Sequence, residues 1–209
     1  MIPWKARFVA LLMFCLMATT LPCHAQKTNA QQAREMFDQT YQLVYGPQGC
    51  TLQYDVNLVG LYKTSGVIWY KGKKSKYNEG RKLAWNNGKT HHAVDLKKKT
   101  VTIYDAASEK RDKYSGYFKF SPEDYTYSVA STNKGYELTL TLKKGRKGMK
   151  LVKALIDKKS RAPINLSIKV AFFWAHVNIL KFRSGGISDD TFVFPAQQYS
   201  SYEFIDMRE

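Results

Sequence analysis

The chain has 209 residues and a formal net charge of +16. This length suits one domain with a sizeable core, and no stretch resembles a linker to a second domain. The positive charge comes mostly from lysine, which binds anions in general but gives little sign of bidentate phosphate recognition. Lipid head groups, lipopolysaccharide and acidic proteins are the plausible anionic partners and nucleic acid is not expected, while the competing interpretation is that the lysines only solubilise strand edges.

Residues 1–25 have the layout of a secretory signal peptide. A basic start is followed by an unbroken apolar run at residues 8–17 and by small and polar residues that lead to Ala25. The run is too short to span a bilayer, so we expect cleavage after Ala25 and a single domain over residues 26–209 in the periplasm. Lipid attachment at Cys23 is the alternative interpretation.

A helix is predicted directly after this segment. Thr28 or Asn29 can cap its start, and Gly46 with Pro47 can end it. Apolar residues recur between these points at three- and four-residue spacing, which gives the helix one strongly apolar face. These residues are Ala33, Met36, Phe37, Tyr41, Leu43 and Val44. Such a face must pack against another part of the protein.

Cys50 is the one cysteine left once residues 1–25 are removed, so no internal disulfide is possible. Two interpretations stay open. The thiol could be a nucleophile or a lipid-attachment point, or the residue could be a small buried hydrophobe at the start of a strand.

After Gly49 the hydrophobic period changes to two, which predicts strands. The alternating apolar residues of the first strand are Leu52, Tyr54, Val56 and Leu58. Further strands follow at the spacing of an antiparallel meander, over residues 66–71, 73–78, 81–86, 90–95 and 100–105. Asn87 and Gly88 predict a hairpin with a type I′ turn, because both central residues of that turn need positive φ.

The second half of the chain begins with a turn signal and returns to strands. Ser121 and Pro122, followed by two acidic residues, predict a short helical turn. Strands are then predicted over residues 136–142, 149–157, 163–170 and 171–182. The total is about ten or eleven strands, and a sheet of that size usually curls or closes.

Candidate catalytic side chains do not converge in this sequence. His91 and His92 are adjacent, so on a strand they point to opposite faces and cannot bind one metal. Asp189 and Asp190 read as a solvated loop, and His176 reads as a hydrogen-bonded core residue. No motif for nucleophilic catalysis, nucleotide binding or metal hydrolysis is present. The sequence therefore predicts a protein that is not an enzyme and that needs no metal or cofactor.

Two strands are apolar on both sides. The alternation fails at residues 67–70 and again at residues 171–175, where large apolar and aromatic residues follow one another. Both faces of the sheet must be covered there. One face can pack on the helix or line a cavity, and the other is covered by protein or binds something.

Several short stretches, taken in order, resemble a known family. Residues 66–71, GVIWYK, are similar to a strand of that family in which a Trp is followed by a Lys two places on. Residues 83–90 resemble its hairpin, and residues 192–195 and 205–208 resemble its closing strand and its tail. The family is that of the periplasmic outer-membrane lipoprotein carriers, the LolA-like proteins, and the resemblance covers nearly the whole chain after residue 25.

The resemblance implies a mainly β fold, an incomplete antiparallel β-barrel of about eleven strands with a plugging N-terminal helix. It also implies a carrier that binds the acyl chains of lipoproteins in an apolar cavity and transports them to the outer membrane. One sixteen-carbon chain left in water costs on the order of 12 kcal/mol, so such cargo needs an escort. The implied partners are lipidated proteins, an inner-membrane lipoprotein-release complex and an outer-membrane acceptor, with an anionic membrane surface as a further contact. We expect a monomer.

One face of the first two strands is predicted to line the cavity, although the apolar run at residues 67–70 does not by itself fix which face that is. The predicted wall consists of Leu52, Tyr54, Val56, Leu58, Ile68 and Tyr70. The helix residues predicted to plug it are Met36, Phe37 and Tyr41.

The chain departs from the family pattern at Gly72. The resemblance implies that an arginine at this position latches the lid, and here Lys73 follows the glycine instead. A lysine cannot reproduce a planar guanidinium fork. Either lid control differs, with Arg81 or Lys73 as poor substitutes, or the cargo differs. A carrier of free lipid or glycolipid, and an envelope sensor or binding module for misfolded outer-membrane proteins, therefore stay open as alternatives.

Overall fold

The computed structural model describes residues 27–58, 62–108, 110, 120–170 and 173–208. The expected signal peptide, with Cys23, lies outside the described residues. The described part of the chain forms one α-helix, α1 (Asn29–Tyr45), and twelve strands. The strands are β1 (Cys50–Leu58), β2 (Tyr62–Lys71), β3 (Lys74–Asn78), β4 (Lys82–Asn86), β5 (Thr90–Asp95), β6 (Thr100–Asp105), β7 (Tyr125–Ser131), β8 (Tyr136–Leu142), β9 (Leu151–Ile156), β10 (Pro163–Val170), β11 (Phe173–Ser184) and β12 (Glu203–Asp206). Short 3-10 helices cover Pro122–Asp124, Asp189–Phe192 and Ala196–Tyr199.

All twelve strands belong to one sheet, in the order β12-β6-β5-β4-β3-β2-β1-β11-β10-β9-β8-β7. Two antiparallel meanders, β2 to β6 and β7 to β11, lie on either side of β1, which pairs with both β2 and β11. The short strand β12 joins the far edge by pairing parallel to β6. β7 and β12 form the two edges among the described strands, so the sheet is open. The predicted incomplete antiparallel architecture is confirmed, with twelve strands where about eleven were expected.

The predicted helix is confirmed with both of its ends. Thr28 is the N-cap: its hydroxyl accepts from the backbone N–H of Gln31, whose side chain accepts in turn from the backbone N–H of Thr28. This reciprocal pair satisfies two amide groups that a helix start leaves free. The helix ends at Gly46, whose backbone N–H donates to the carbonyl of Gln42.

Three local predictions were wrong. β7 was missed, although Tyr125, Tyr127 and Val129 alternate along it and lie on one side of the sheet. The predicted closing strand at residues 192–195 lies at the end of a 3-10 helix and the turn after it. The β4–β5 hairpin exists, but of the pair expected to need positive φ only Gly88 has it, at 91°. The N–H of Asn87 donates to the carbonyl of Thr90, so the central residues of the turn are Gly88 and Lys89. Positive φ at the first central residue alone is typical of a type II′ turn rather than type I′.

The sheet buries a different face in each half. We call the face on which α1 packs the inner face. There Ala33 of α1 contributes to a buried cluster with Tyr125, Leu138, Leu140 and Ile156 from the second meander. In the first meander the main cluster lies on the opposite, outer face, where Trp85, Val94 and Val101 pack against Tyr199 of the C-terminal segment. The N-terminal helix and the C-terminal segment thus cover opposite faces of one sheet.

Candidate functional site

The inner face of β1 and β2 carries the six residues predicted to line a cavity. Leu52 is directly opposite Ile68, and Cys50 is opposite Tyr70. Residues that face each other across antiparallel strands point to the same side of the sheet. The register therefore places all six on the face that α1 covers. They are Leu52, Tyr54, Val56, Leu58, Ile68 and Tyr70. Leu52 and Tyr54 are buried, and the other four are half-buried. Whether they hold a ligand stays a prediction.

The apolar surface continues from β1 into the second meander. Leu52 is opposite Phe182 of β11, and Val56 is opposite Val177. The same register extends through β10 to β7 and keeps apolar residues on the inner face. These residues are Ile168, Leu166, Val152, Ala154, Leu140, Leu138, Tyr127 and Val129. The inner face is thus a continuous apolar strip across seven strands, from β2 to β7.

Cys50 begins β1 and is fully buried, as the packing interpretation predicted. It packs with Val44 and Leu52, and desolvation raises the pKa of its thiol to about 11. A thiol with so high a pKa carries almost no thiolate at neutral pH and is a poor nucleophile.

Two of the three helix residues predicted to plug the cavity reach the sheet. Met36 and Phe37 pack against the cluster of the second meander, and the Phe37 ring lies 5.4 Å from that of Tyr127. Tyr41 is 38% exposed, and its ring contacts Phe37 and Tyr45 of the helix itself. Tyr41 therefore lies on a more solvent-facing side than its spacing from Phe37 suggested.

The N-terminal end of α1 is fastened to the edge of the sheet. The Asn29 carboxamide donates to the carbonyl of Val129 at 2.8 Å and accepts from the N–H of the same residue at 3.0 Å. This pair of bonds occupies one ladder position of the edge strand β7, which would otherwise be open to another chain. Arg34 adds an ion pair at 2.9 Å to Glu123, in the turn before β7, which lowers the pKa of that carboxyl group.

The C-terminal end of α1 is fastened to the turn between β2 and β3. The backbone N–H of Gly72 donates to the carbonyl of Tyr45 at 3.0 Å and lies 3.4 Å from that of Gly46. The ring of Tyr45 packs 4.8 Å from that of Tyr70. The position at which the resemblance expected a latching arginine therefore holds the helix through its backbone. The role of the Gly72 amide leaves no sequence signal, because any residue but proline carries a backbone N–H. The role of Asn29 leaves none either, because its partner Val129 lies 100 residues away.

The groups considered for catalysis are spread over the sheet. His91 and His92 point to opposite faces of the sheet, as predicted. On the neighbouring strand β6, His91 pairs with Tyr104 and His92 pairs with Ile103. His92 is stacked on Phe194 with centroids 4.3 Å apart, and desolvation lowers its pKa.

The other two predictions agree with the structure in part: His176 is hydrogen-bonded but does not lie in the core, and Asp189 is exposed but belongs to a 3-10 helix rather than a loop. His176 is half-buried and bonded to the Ser167 hydroxyl at 2.9 Å. Asp189 is an exposed acid that pairs with Lys71 and Lys74, and these two lysines lower the pKa of its carboxyl group.

The described ranges hold no group of three or more histidine, cysteine or acidic residues that could bind a metal. Within the same residues, no helix has the length and apolar character needed to cross a bilayer.

Comparison with known structures shows a fold shared with a protein from Thermus thermophilus. An uncharacterized conserved protein from Thermus thermophilus superposes with a TM-score of 0.55 at 10% identity, covering 84% of this chain and 99% of that one. The Pseudomonas aeruginosa MucA/MucB complex gives a TM-score of 0.45 at 11% identity, with 79% and 62% covered. A LolA superfamily protein from Nitrosomonas europaea gives 0.31 at 9% identity, with 81% and 100% covered.

A comparison with curated protein sequences found no match. The family model described as outer membrane lipoprotein carrier protein LolA, however, matches residues 21–177. Because that match covers well over half of the chain, the protein belongs to the family of LolA outer membrane lipoprotein carriers.

Proposed function

We propose that the protein is a periplasmic carrier that binds the acyl chains of lipoproteins against the inner face of its sheet and transports them to the outer membrane. The observation that carries this proposal is the apolar strip from β2 to β7 beneath a helix fastened at both ends. Membership of a family described as lipoprotein carriers supports it.

The chemistry of the strip suits an acyl chain. Burying methylene groups is favourable by about 0.8 kcal/mol each, so a long chain gains most from a surface that is apolar along its whole length. Val56 and Leu58 are half-buried on that surface, beyond the buried part of β1 formed by Cys50, Leu52 and Tyr54. An acyl chain lying over Val56 and Leu58 would bury them further.

The helix would act as the cover of the bound chain. Between the fastened ends the helix packs on the sheet through Met36 and Phe37, and these apolar contacts can be exchanged for contacts with a ligand at little cost. The Thr40 hydroxyl also donates to the carbonyl of Arg161 at 2.9 Å, and this bond would break when the helix lifts. Lipidated proteins would be the cargo, with a release complex in the inner membrane and an acceptor in the outer membrane as partners. An anionic membrane surface would be a further contact for this lysine-rich protein.

Site-specific photo-crosslinking tests the proposal with a matched pair of positions. Val56 and Asn57 are adjacent in β1, half-buried and on opposite faces. With a benzophenone amino acid at Val56, we expect crosslinks to a palmitoylated lipopeptide. With the same amino acid at Asn57, we expect none.

Three outcomes would contradict the proposal in different ways. Equal crosslinking at both positions would contradict binding at the inner face. Crosslinks to added phospholipid but not to lipopeptide would favour a free-lipid carrier. Crosslinks to unfolded outer-membrane protein that the lipopeptide cannot displace would favour a sensor.

A further inference from the structure

A second candidate site lies on the outer face, away from the helix. A shallow depression of about 470 Å³ opens there over β1 and its two neighbours, β2 and β11. Its lining residues are Thr51, Gln53, Val67, Lys181, Phe182 and Arg183. We call it the cationic depression.

Strand register explains why these residues meet. Thr51 is directly opposite Arg183, and Gln53 is opposite both Lys181 and Val67. Side chains at opposite positions of antiparallel strands lie about 5 Å apart on one face. On the outer face, Arg183 of β11 therefore lies beside Thr51 of β1, and Lys181 lies beside Gln53. Phe182 lies between the two cations, and its side chain packs on the inner face with Cys50 and Leu52.

The polar groups of the cationic depression lack partners in the described part of the chain. The side chains of Lys181 and Arg183 form no ion pair or hydrogen bond there, and the side-chain carboxamide of Gln53 forms no hydrogen bond either. The Thr51 hydroxyl is buried with no hydrogen-bond partner. Lysines near the β2–β3 turn differ, since Lys71 and Lys74 share Asp189 at 3.1 Å each. A buried hydroxyl without a partner costs free energy. Lys181 and Arg183 are exposed and lie two positions apart on one face of β11, so their charges repel each other only weakly but both can reach one anion.

We propose that the cationic depression binds the phosphate group of a phosphate ester. Arginine presents a planar fork of N–H donors that fits phosphate oxygens in pairs, and the neighbouring lysine adds a point charge. The Gln53 amide adds a neutral donor, and a rotation about Cα–Cβ turns the Thr51 hydroxyl toward the same space. A phosphate monoester offers three terminal oxygens to these four groups, whereas a carboxylate or a phosphate diester offers two. The depression exceeds the volume of a phosphate, so the alcohol part of the ester lies against Val67.

This site lies on the outer face, whereas the proposed carrier function uses the inner face. The inference therefore does not depend on that function. It also differs from a general attraction of a basic protein for anions, because it specifies one place. The ester could be a lipid head group or a soluble metabolite, and both present the same phosphate chemistry.

Titration by nuclear magnetic resonance tests the site with soluble probes. The probes are glycerol 3-phosphate, dihexanoyl phosphatidic acid below its micelle concentration, and acetate, so that the soluble and the lipid probe are both phosphate monoesters. We expect saturable shifts at the amides of Thr51, Gln53 and Lys181 with both phosphates. Tighter binding of the short-chain lipid assigns the site to a lipid head group, and equal or tighter binding of glycerol 3-phosphate assigns it to a soluble ester. Acetate binding as tightly as either phosphate overturns the inference.

Charge-matched variants separate the site from general electrostatics. The double substitution of Lys181→Gln with Arg183→Gln is expected to weaken phosphate binding at least about tenfold. Its control, Lys144→Gln with Lys147→Gln, removes two positive charges from the exposed β8–β9 loop and is expected to change binding less than about twofold. Equal weakening in both variants overturns the inference.

A third variant gives two effects of opposite sign. Thr51→Val replaces the unpaired buried hydroxyl by a methyl group of similar shape, so the free protein is expected to melt about 2–4 °C higher. The same substitution removes a phosphate ligand and is expected to weaken binding about fivefold. Thr139→Val, on the outer face of β8, is the control and is expected to leave binding unchanged. Unchanged phosphate affinity in Thr51→Val contradicts the assigned role of the hydroxyl.

Discussion

The bonds between Asn29 and Val129 provide the sharpest test of how α1 is held. Substituting Asn29→Ala removes both bonds, of 2.8 Å and 3.0 Å, while the N-cap at Thr28 is kept. A hydrogen bond contributes about 0.5–1.5 kcal/mol net. Both of these bonds are exposed, so we take about 0.5–1 kcal/mol for each. The pair is therefore worth about 1–2 kcal/mol. A local opening of the helix start should become roughly 5 to 30 times more populated.

Hydrogen exchange under native conditions measures that opening. In Asn29→Ala, the amides of the first two turns of α1 should exchange roughly 5 to 30 times faster, and those of β9 should not change. Asn29→Asp should have a smaller effect, because the carboxylate still accepts from the Val129 N–H. Gln42→Ala is the control: it removes an exposed amide from the same helix, far from β7. If the α1 amides exchange at the parental rate, these two bonds do not hold the helix and the reasoning fails.

Three further predictions concern stability and reactivity. Leu52→Ala should lower the unfolding free energy by roughly 2–4 kcal/mol in urea denaturation, because it leaves a cavity beside Val44 and Cys50, and a loss below about 1 kcal/mol would contradict the packing. The ion pair with Arg208 lowers the pKa of Asp206 to about 2, so its contribution is complete above about pH 4 and is lost as the pH falls toward about 2. Asp206→Asn should therefore flatten the fall of melting temperature over that interval, and an unchanged slope would argue against the pair. Iodoacetamide at pH 8 should leave Cys50 unmodified in the folded protein and label it in urea, and labelling of the native protein would show that the thiol is accessible.

The parts of the fold that depend on local periodicity could be predicted from the sequence. The three- and four-residue spacing of apolar residues gave α1, and the alternation after Gly49 gave β1 with its inward residues on one side. The spacing of the short strands gave the first meander, and alternation gave the strands of the second half except β7. These signals are local, because each repeats over neighbouring residues of one helix, strand or hairpin.

Long-range pairing could not be read from the same signals. β1 pairs with β11, more than a hundred residues away, and nothing in either strand specifies that register. The apolar residues 192–195 look like a strand, yet Phe192 is buried in a helical turn and Phe194 stacks on His92. A short apolar run does not distinguish a strand from a buried turn. The unpaired groups of the cationic depression come from β1 and β11 together, so that site is invisible until the pairing is known.

The same β1–β11 pairing sets constraints on how the chain folds. Each meander is made of neighbouring strands and can form early from local contacts. β1 obtains its second partner only after the last long strand of the second meander has been made, and α1 obtains its packing surface only once β7 to β9 have been made. Contacts of such sequence separation must repay a large loss of chain entropy before they stabilise anything. Early in folding, the helix and the first meander therefore expose apolar surface. At that stage the chain is most prone to bind chaperones or to aggregate.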